Sequence, residues 1–333
     1  MKAPERADVV IVGAGLLGLA TAYALRGRRE VLVLERETVG HERGGSRGPT
    51  RIFRLGYLDP ADVRMAMAAR NEWTALESET DTQLLHPKPQ LSFGPGAPAV
   101  RAALIAAGAP VEDLDAAAVD RGFPAFAGRG PAVLDSSAAV IAADRTLETL
   151  AAHASAEIRT GARVQSVDDG RVVLDDRIIE AHTVVVCAGP WSRALVAGLA
   201  TTMTLEHVGY ARVREDLPIF IDFDTPTVYG LPTPGTDLYK IAVHHGGRVI
   251  DPEEAFTVDA AAVEALHAAA ERWLPGRELV DIDVCPYDNT VDQAFVVSVI
   301  DGIVVGAGTS GHGFKFGPLL GARLAALVES LSS

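Results

Sequence analysis

The sequence predicts an α/β protein in which a helix-flanked parallel sheet carries a second, mostly antiparallel sheet. Two observations predict this fold. Residues 8–18 form an apolar run that passes through closely spaced glycines into a helical pattern, as in a strand followed directly by a helix. Residues 203–244 instead contain four strand patterns with no helical pattern between them. Strand–helix alternation is typical of parallel sheets, and successive short strands are typical of antiparallel ones.

Length, charge and cysteine content limit the class of protein. The chain has 333 residues, more than one hydrophobic core usually supports, so two domains are expected. Its formal net charge of −14 argues against binding nucleic acid or an anionic membrane, since both need a basic surface. An acidic substrate stays open, because clustered arginine and lysine can reverse the field inside one cleft. With only Cys187 and Cys285, the chain has no disulfide framework and is suited to a reducing compartment.

The apolar segments are too short for a membrane protein. No segment approaches the roughly 20 apolar residues that a spanning helix needs. Near the N-terminus, Asp8 interrupts the apolar run, and the glycines that follow do not mark a cleavage site, so no signal peptide is expected. We therefore expect a soluble, cytoplasmic protein.

The first elements follow one another closely. Residues 8–12 predict a buried strand, residues 16–25 a helix, and residues 31–34 a second buried strand, which closes a β–α–β unit. Residues 44–57 predict a Gly/Arg-rich loop with too few apolar residues to join the core. Residues 60–79 predict a long helix that tolerates Pro60 in its first turn.

The rest of the chain mixes both periodicities. Between about residues 83 and 140 we expect short strands, prolines and alanine-rich helical pieces, followed by a helix with Asp144 as N-cap. The later expected strands are 163–167, 171–174, 183–187, 203–213, 219–223, 227–231, 238–244, 282–287, 295–299 and 303–305, with helices at 259–273 and from about 315 to 331.

This order predicts two discontinuous domains. Residues 5–82, 141–202 and 288–333 are expected to form a nucleotide-binding domain. Residues 83–140 and 203–287 are expected to form the substrate domain.

The motif Gly13-x-Gly15-x-x-Gly18 predicts a dinucleotide site. The first glycine permits a tight turn, the second lets the backbone approach a pyrophosphate, and the third lets the helix pack closely on the strand. The N-terminus of that helix stabilises the phosphate charge. Glu35 ends the second strand, where it can accept a ribose hydroxyl. The motif does not distinguish FAD from NAD.

Two further loops have both a functional and an ordinary explanation. In Cys187-Ala-Gly189-Pro-Trp191, small residues would let the backbone approach a flat cofactor, but an ordinary turn with a packed tryptophan explains the pattern equally well. The loop from Gly44 carries Arg47, Arg51 and Arg54, whose guanidinium groups suit carboxylate or phosphate. A solvated basic loop is the alternative. Arg51 and Arg54 would share a face in a helical turn and diverge in a strand.

Four motifs occur in an order that carries a family resemblance. They are Thr50-Arg51-Ile-Phe-Arg54, then Tyr229-Gly-x-Pro with Tyr239-Lys240-Ile-Ala-Val-His244 and Ile250-Asp-Pro252, then Cys285-x-Tyr287-x-x-Thr290-x-Asp292-x-x-Phe295, and finally Ser310-Gly-His-Gly-Phe-Lys-Phe316. From Asp8 to about Leu327 the chain resembles the monomeric sarcosine oxidase and N-methyltryptophan oxidase family of flavoproteins. The resemblance implies a Rossmann-like FAD-binding domain of the glutathione-reductase type and an inserted, mostly antiparallel substrate domain.

The resemblance also implies roles for individual residues near the flavin. Cys285 matches the cysteine that joins the flavin through a thioether, although a lone cysteine is more often a small buried hydrophobe and the adjacent Pro286 departs from the family. Lys240 matches the lysine that promotes oxygen reduction, although a lysine on a strand usually faces solvent. Arg51 matches the arginine that lies against the flavin ring. Further expected cofactor contacts come from Leu16, Leu17, Arg36, Gly45, Ser46, Val164, Gly189, Trp191, Gly311, His312, Gly313 and Lys315.

The substrate side is implied in the same way. Arg54 and Lys315 match the pair that holds a substrate carboxylate, and Tyr229 is expected beside the substrate. His244 and Tyr287 match groups that line this side. No metal site is expected at His244-His245, because neighbouring strand residues face opposite sides. Residues 311–313 are expected to begin the last helix, whose positive end would stabilise reduced flavin.

Together these features predict an FAD-dependent oxidase of a small amino or imino acid, with preference for a secondary amine. The resemblance implies hydride transfer to flavin N5, an imine product, and reduction of O2 to hydrogen peroxide. A monomer is expected, with an oligomer left open, and the acidic charge predicts neither nucleic-acid nor membrane partners. A flavin-dependent dehydrogenase and a cyclic imino acid oxidase of a biosynthetic pathway stay open, as does a non-catalytic flavin-binding subunit. A nicotinamide enzyme would leave residues 285–315 unexplained.

Overall fold

The computed structural model describes residues 5–331, which form strands gathered into three sheets. The strands are β1 (Glu5–Val12), β2 (Val31–Leu34), β3 (Thr50–Phe53), β4 (Leu85–Pro87), β5 (Gln90–Phe93), β6 (Glu112–Leu114), β7 (Ala132–Asp135), β8 (Ala139–Ala142), β9 (Glu157–Arg159), β10 (Val164–Asp168), β11 (Arg171–Leu174), β12 (Ile178–Val186), β13 (Thr202–Arg212), β14 (Ile219–Asp222), β15 (Val228–Pro232), β16 (Leu238–Val243), β17 (Arg248–Val249), β18 (Leu279–Asn289), β19 (Val296–Ile300) and β20 (Ile303–Ala307).

Helices cover these sheets. They are α1 (Leu16–Leu25), α2 (Pro60–Thr80), α3 (Ala97–Ala107), α4 (Ala116–Gly122), α5 (Ala143–His153), α6 (Ser192–Leu195), α7 (Ala260–Trp273) and α8 (Gly317–Leu331), with 3₁₀ turns at Pro124–Phe126, Gly189–Trp191 and Phe314–Phe316. None of the helices among residues 5–331 is long and apolar enough to cross a membrane.

The first sheet has a parallel centre. β12, β1, β2 and β9 lie side by side in parallel, β20 runs parallel to the end of β12, and β10, β11 and β19 add antiparallel edges. Val9 and Ile11 pack into one apolar cluster and Val10 and Val12 into another on the opposite face. Because both faces of β1 are covered by apolar clusters, its sequence is continuously apolar and does not alternate with polar residues. The predicted fold class is confirmed.

The second sheet is nearly all antiparallel. Its order is β17-β13-β16-β15-β14-β5-β7-β6, with β18 also paired to β13, and the pair β14–β5 is parallel. Phe220 and Trp273 stack with ring centroids 4.2 Å apart in the core beneath α7. A small third sheet joins β3, β8 and β4. The proposed domain boundaries stay a prediction.

Two local expectations were wrong. Residues 50–57 contribute to the core: Thr50–Phe53 is a strand paired with β8, and Phe53, Leu55 and Tyr57 are buried at alternate positions. Arginines stand between and beside these apolar residues, so the strand pattern was not recognised in the sequence. Asp144 is not an N-cap, because α5 already begins at Ala143; its carboxylate accepts a hydrogen bond from the Gly48 amide at 2.7 Å and tethers the arginine loop.

The last helix also begins later than expected. Residues 311–313 lie in a turn, a 3₁₀ turn follows at Phe314–Phe316, and α8 starts at Gly317. Glycine at 311 is required because its φ is +73° and a Cβ there would lie 2.0 Å from the Tyr287 ring. The turn therefore holds Lys315 ahead of the helix.

The two ends of the chain meet where α1 packs on α8. A Cβ on Gly321 would lie 2.5 Å from the backbone carbonyl carbon of Ala20, so the helices approach at backbone distance. The contact fixes the glycine motif, which opens α1, against the turn that carries Lys315.

We predict that Gly321→Val lowers the free energy of unfolding by about 3 kcal/mol, because overpacking must separate the two helices. Ala326→Val, on the exposed face of the same helix, controls for helix propensity and should cost less than about 1 kcal/mol. Urea unfolding of both variants measures the difference. Equal losses for both would contradict backbone-distance packing.

Candidate active site

A cavity of about 290 Å³ lies between the carboxyl ends of β1 and β2 and the antiparallel sheet. Most of the residues predicted from the sequence line it, namely Gly13, Gly15, Leu16, Leu17, Glu35, Arg36, Gly45, Ser46, Arg51, Val164, Gly189, Trp191, Tyr229, Lys240, Cys285, Tyr287, Gly311 and Gly313. The remaining predicted residues do not line it: Gly18, Arg54, His244, His312 and Lys315.

The glycine motif forms a tight strand-to-helix turn at one end of the cavity. Gly13 has φ +102°, which favours glycine, and a Cβ there would meet the Cys187 carbonyl oxygen at 2.5 Å. A Cβ on Gly18 would lie 1.9 Å from the Gly13 carbonyl oxygen, so Gly18 acts by allowing this packing and not by lining the cavity. The Ser46 hydroxyl accepts a hydrogen bond from the Leu16 amide at 3.0 Å and joins the second loop to this turn.

Glu35 is held rigidly beside this turn. Its side chain is buried, and its two oxygens accept hydrogen bonds from the Ala14 amide at 2.8 Å and the Glu37 amide at 2.9 Å. Each carboxylate oxygen can accept a further hydrogen bond. Glu35 is therefore free to receive a ribose hydroxyl while it holds the turn.

Glu253 also lines the cavity and was not predicted from the sequence. The Arg36 guanidinium donates to both Glu253 oxygens at 2.6 and 3.0 Å, and Trp191 Nε1 donates to Oε1 at 2.9 Å. The Arg36 hydrogen bonds lower the pKa of Glu253 to about 2. The adjoining motif Ile250-Asp-Pro252 was the available signal, but a pairing across more than two hundred residues has no sequence pattern.

Lys240 points into the cavity from β16. Tyr239 and Ile241 pack into the aromatic core, so the alternation of the strand directs Lys240 to the opposite face. Lys240 is 3% exposed and is not solvent-facing. Burial, and then the charge of Arg51, lower the pKa of Lys240 to about 7.

Arg51 lies next to Cys285 without a carboxylate partner. Its guanidinium donates to the carbonyls of Thr50, Gly45 and Arg47 at 2.9, 3.0 and 2.6 Å, and Nη2 lies 3.9 Å from the Cys285 Sγ. Within residues 5–331, no carboxylate oxygen lies within 4.0 Å of Arg51 or Lys240. An electron-rich ring would meet uncompensated positive charge here, so the donor set fits a flavin.

The two thiols differ in environment. Cys187 is buried and burial raises its pKa to about 12, so it stays a protonated, inert group. Cys285 is partly exposed and lines the cavity. Pro286 lies on β18, which pairs only with β13 along the described chain, and proline is tolerated on such an edge strand.

Arg54 and Lys315 come together around Tyr57. The Arg54 guanidinium carbon lies 4.3 Å from the centre of the Tyr57 ring, and Lys315 Nζ donates to the Tyr57 hydroxyl at 2.8 Å. Arg54 Nη1 is buried without a hydrogen-bond partner. Burial lowers the pKa of both cations, and their mutual repulsion lowers that of Lys315 further. Because residues 50–53 are a strand, Arg51 and Arg54 diverge, and an anion would be held by Arg54 and Lys315 alone.

Four aromatic side chains, Tyr229, His244, His245 and Tyr287, form a cluster of ring contacts. His244 lies 6.3 Å from Tyr229 and 5.9 Å from Tyr287, measured between ring centroids. His245 also approaches Tyr287, at 5.7 Å, and its ring is 4.1 Å from that of His244. His244 and His245 were expected to face opposite sides, which was wrong, because β16 ends at Val243 and His245 has φ +55°. Burial, then His245, lowers the pKa of His244 to about 3, so this imidazole is neutral.

No grouping of three or more His, Cys, Asp or Glu side chains able to hold a metal ion occurs in the part of the chain that the structure describes. The cavity has features that fit a flavin: the dinucleotide turn of the glycine motif at one end, and the cations Arg51 and Lys240 at the other.

The profile of the DAO family, FAD dependent oxidoreductases, matches residues 8–327, and the chain belongs to this family. The predicted FAD-dependent oxidoreductase is thereby confirmed.

Individual proteins are similar to this chain over nearly its full length. The chain is 32% identical to the peroxisomal sarcosine oxidase of Mus musculus, over 97% of this chain and 92% of that protein. It is 31% identical to the monomeric sarcosine oxidase of Streptomyces avermitilis, over 96% and 93%. Among solved structures, the Tyr258Phe mutant of NikD, described as an unusual amino acid oxidase essential for nikkomycin biosynthesis, superposes with a TM-score of 0.86 at 28% identity, over 97% and 94%. The resemblance to the sarcosine oxidase family is confirmed.

Proposed function

We propose that this chain oxidises the C–N bond of a small amino or imino acid, with FAD as cofactor and dioxygen as electron acceptor. The observation that carries this proposal is the pair formed by the buried Lys315 and the half-buried Arg54, whose Nη1 is itself buried and has no hydrogen-bond partner. Neither cation has a carboxylate oxygen within 4.0 Å among residues 5–331. A substrate carboxylate would satisfy both. The names of the relatives, sarcosine oxidase and N-methyl-L-tryptophan oxidase, support a secondary amine.

When bound, FAD supplies the hydride acceptor and returns the electrons to dioxygen, which yields hydrogen peroxide. The protein supplies binding, orientation and charge. Arg54 and Lys315 bind the carboxylate and orient the amine. Tyr229, Tyr287 and neutral His244 line the space beside it, where His244 can accept a hydrogen bond from the amine.

Lys240 gives a physical reason to prefer an oxidase over a dehydrogenase. A buried ammonium facing the cavity stabilises negative charge as it develops on dioxygen. Cys285 is proposed to join the flavin covalently, because it is the partly exposed thiol and lies beside Arg51. We also propose that the protein works as a cytoplasmic monomer, although two of the relatives are named peroxisomal.

The proposal is tested by anaerobic bleaching of the flavin with a panel of N-methylated, cyclic and primary amino acids. Arg54→Ala should raise KM for the best of these by 10- to 100-fold, because a charge-assisted hydrogen bond contributes about 1.5–3 kcal/mol. Arg64→Ala, an exposed arginine of α2, is the control and should leave KM unchanged. Flavin that no amino or imino acid bleaches would refute the proposed function.

Lys240 predicts a pH-dependent oxidative half-reaction. Since its pKa is about 7, the ammonium is present below pH 7 and is lost as the pH rises through that value. The rate constant of reoxidation should therefore fall above pH 7, and Lys240→Met should remove this pH dependence while flavin reduction changes little. Stopped-flow mixing of reduced enzyme with oxygen measures it. Equal losses in both half-reactions would contradict the role.

Covalent attachment is tested by acid precipitation. We predict yellow protein in the pellet and a mass increase equal to FAD less two hydrogen atoms, both abolished by Cys285→Ser. The thiol hydrogen and one flavin C–H hydrogen would be lost as the thioether forms, with dioxygen taking them up as hydrogen peroxide. Cys187→Ser is the matched control and should retain the bound flavin. Free FAD in the supernatant of the unmodified protein would exclude the linkage.

A further inference from the structure

We infer that Tyr57 and His312 form a directional hydrogen-bond relay that positions Lys315 for the substrate carboxylate. Neither side chain was assigned this role from the sequence. The inference rests on the proposed function, because it needs Lys315 to bind an acid.

The relay is a continuous chain of contacts. Lys315 Nζ donates to the Tyr57 hydroxyl at 2.8 Å and to the His312 carbonyl at 3.3 Å. The Tyr57 hydroxyl lies 3.4 Å from His312 Nδ1. His312 Nε2 lies 3.1 Å from the Gln293 carbonyl oxygen.

The Gln293 carbonyl sets the direction of this chain. A carbonyl can only accept, so the proton of the neutral imidazole belongs on Nε2 and leaves Nδ1 as an acceptor. The Tyr57 hydroxyl then donates to Nδ1. Its lone pairs are left for Lys315, whose ammonium can only donate. Each contact therefore has one donor and one acceptor.

Tyr57 also supports Arg54. The guanidinium lies over the Tyr57 ring, 4.3 Å from its centre, where a cation–π contact stabilises the charge. One side chain thus holds both cations with a ring face and a hydroxyl. An aspartate or glutamate in its place would neutralise one of the two positive charges and compete with the substrate carboxylate.

Other charged groups face Lys315 from the surrounding elements. Arg54 follows β3 and lowers the pKa of Lys315, whereas Asp62 in the first turn of α2 raises it. His244, at the end of β16, and His312 both have pKa values near 3 and are neutral at the pH of interest. The tyrosine hydroxyl is thus the nearest acceptor that stabilises the ammonium form of Lys315.

The test measures carboxylate binding to the FAD-loaded enzyme, from the change in flavin absorbance on titration with acetate between pH 6 and 10. Tyr57→Phe keeps the ring and removes only the hydroxyl. We expect about tenfold weaker acetate binding, a loss of binding at lower pH than in the unmodified enzyme, and a raised KM with little change in kcat. Tyr23→Phe, whose hydroxyl contacts Glu79 far from the site, is the control.

His312 supplies a second pair of variants. Asn can replace an Nδ1 acceptor, so His312→Asn should retain most of the acetate affinity and its pH midpoint, whereas His312→Leu should behave like Tyr57→Phe. Equal affinity and pH midpoint in Tyr57→Phe and the unmodified enzyme would overturn the relay, as would His312→Leu matching the unmodified enzyme. Failure of the unmodified enzyme to bind acetate or any amino acid would overturn the proposed function instead.

Discussion

The structure depends on two cations, the half-buried Arg54 and the buried Lys315, which lie together with no carboxylate oxygen within 4.0 Å of either among residues 5–331. Removing an ionised group from water is unfavourable unless it is paired. Arg54 and Lys315 are only partly compensated, by the Tyr57 ring and hydroxyl and by the His312 carbonyl. Burial lowers the pKa of both side chains, and the charge of Arg54 lowers that of Lys315 further, while the more distant Asp62 raises both. A substrate carboxylate would be attracted by both cations, because no protein carboxylate within residues 5–331 is paired with them. This attraction is the physical basis of the proposed specificity.

The fold brings these groups together from distant parts of the chain. Arg54 and Tyr57 follow a strand of the small third sheet, and Lys315 lies in the 3₁₀ turn before α8. The Trp73 indole of α2 donates to the Lys315 carbonyl at 2.7 Å, which anchors that turn to a buried helix. The antiparallel sheet contributes Lys240 to the other part of the site. Neither the small third sheet nor the antiparallel sheet alone would form the site.

Local patterns made part of this site predictable from sequence. Gly13, Gly18 and Glu35 act within one β–α–β unit, so their spacing carried the information. Lys240 could not be placed in the cavity by pattern alone, because a strand lysine usually faces solvent; the resemblance to a family supplied that expectation. Tyr57 was missed because it belonged to a segment interpreted as a loop. Glu253 was missed because it pairs with Arg36, more than two hundred residues away in sequence. His245 was misplaced because its left-handed backbone ends the alternation of β16.

The most direct test is a crystal structure of the FAD-loaded enzyme with a bound small carboxylate. We predict its oxygens within about 2.7–3.2 Å of Arg54 Nη1 and Lys315 Nζ. An anion seated elsewhere in the site, with Arg54 Nη1 paired to an acidic side chain of the protein, would contradict the account.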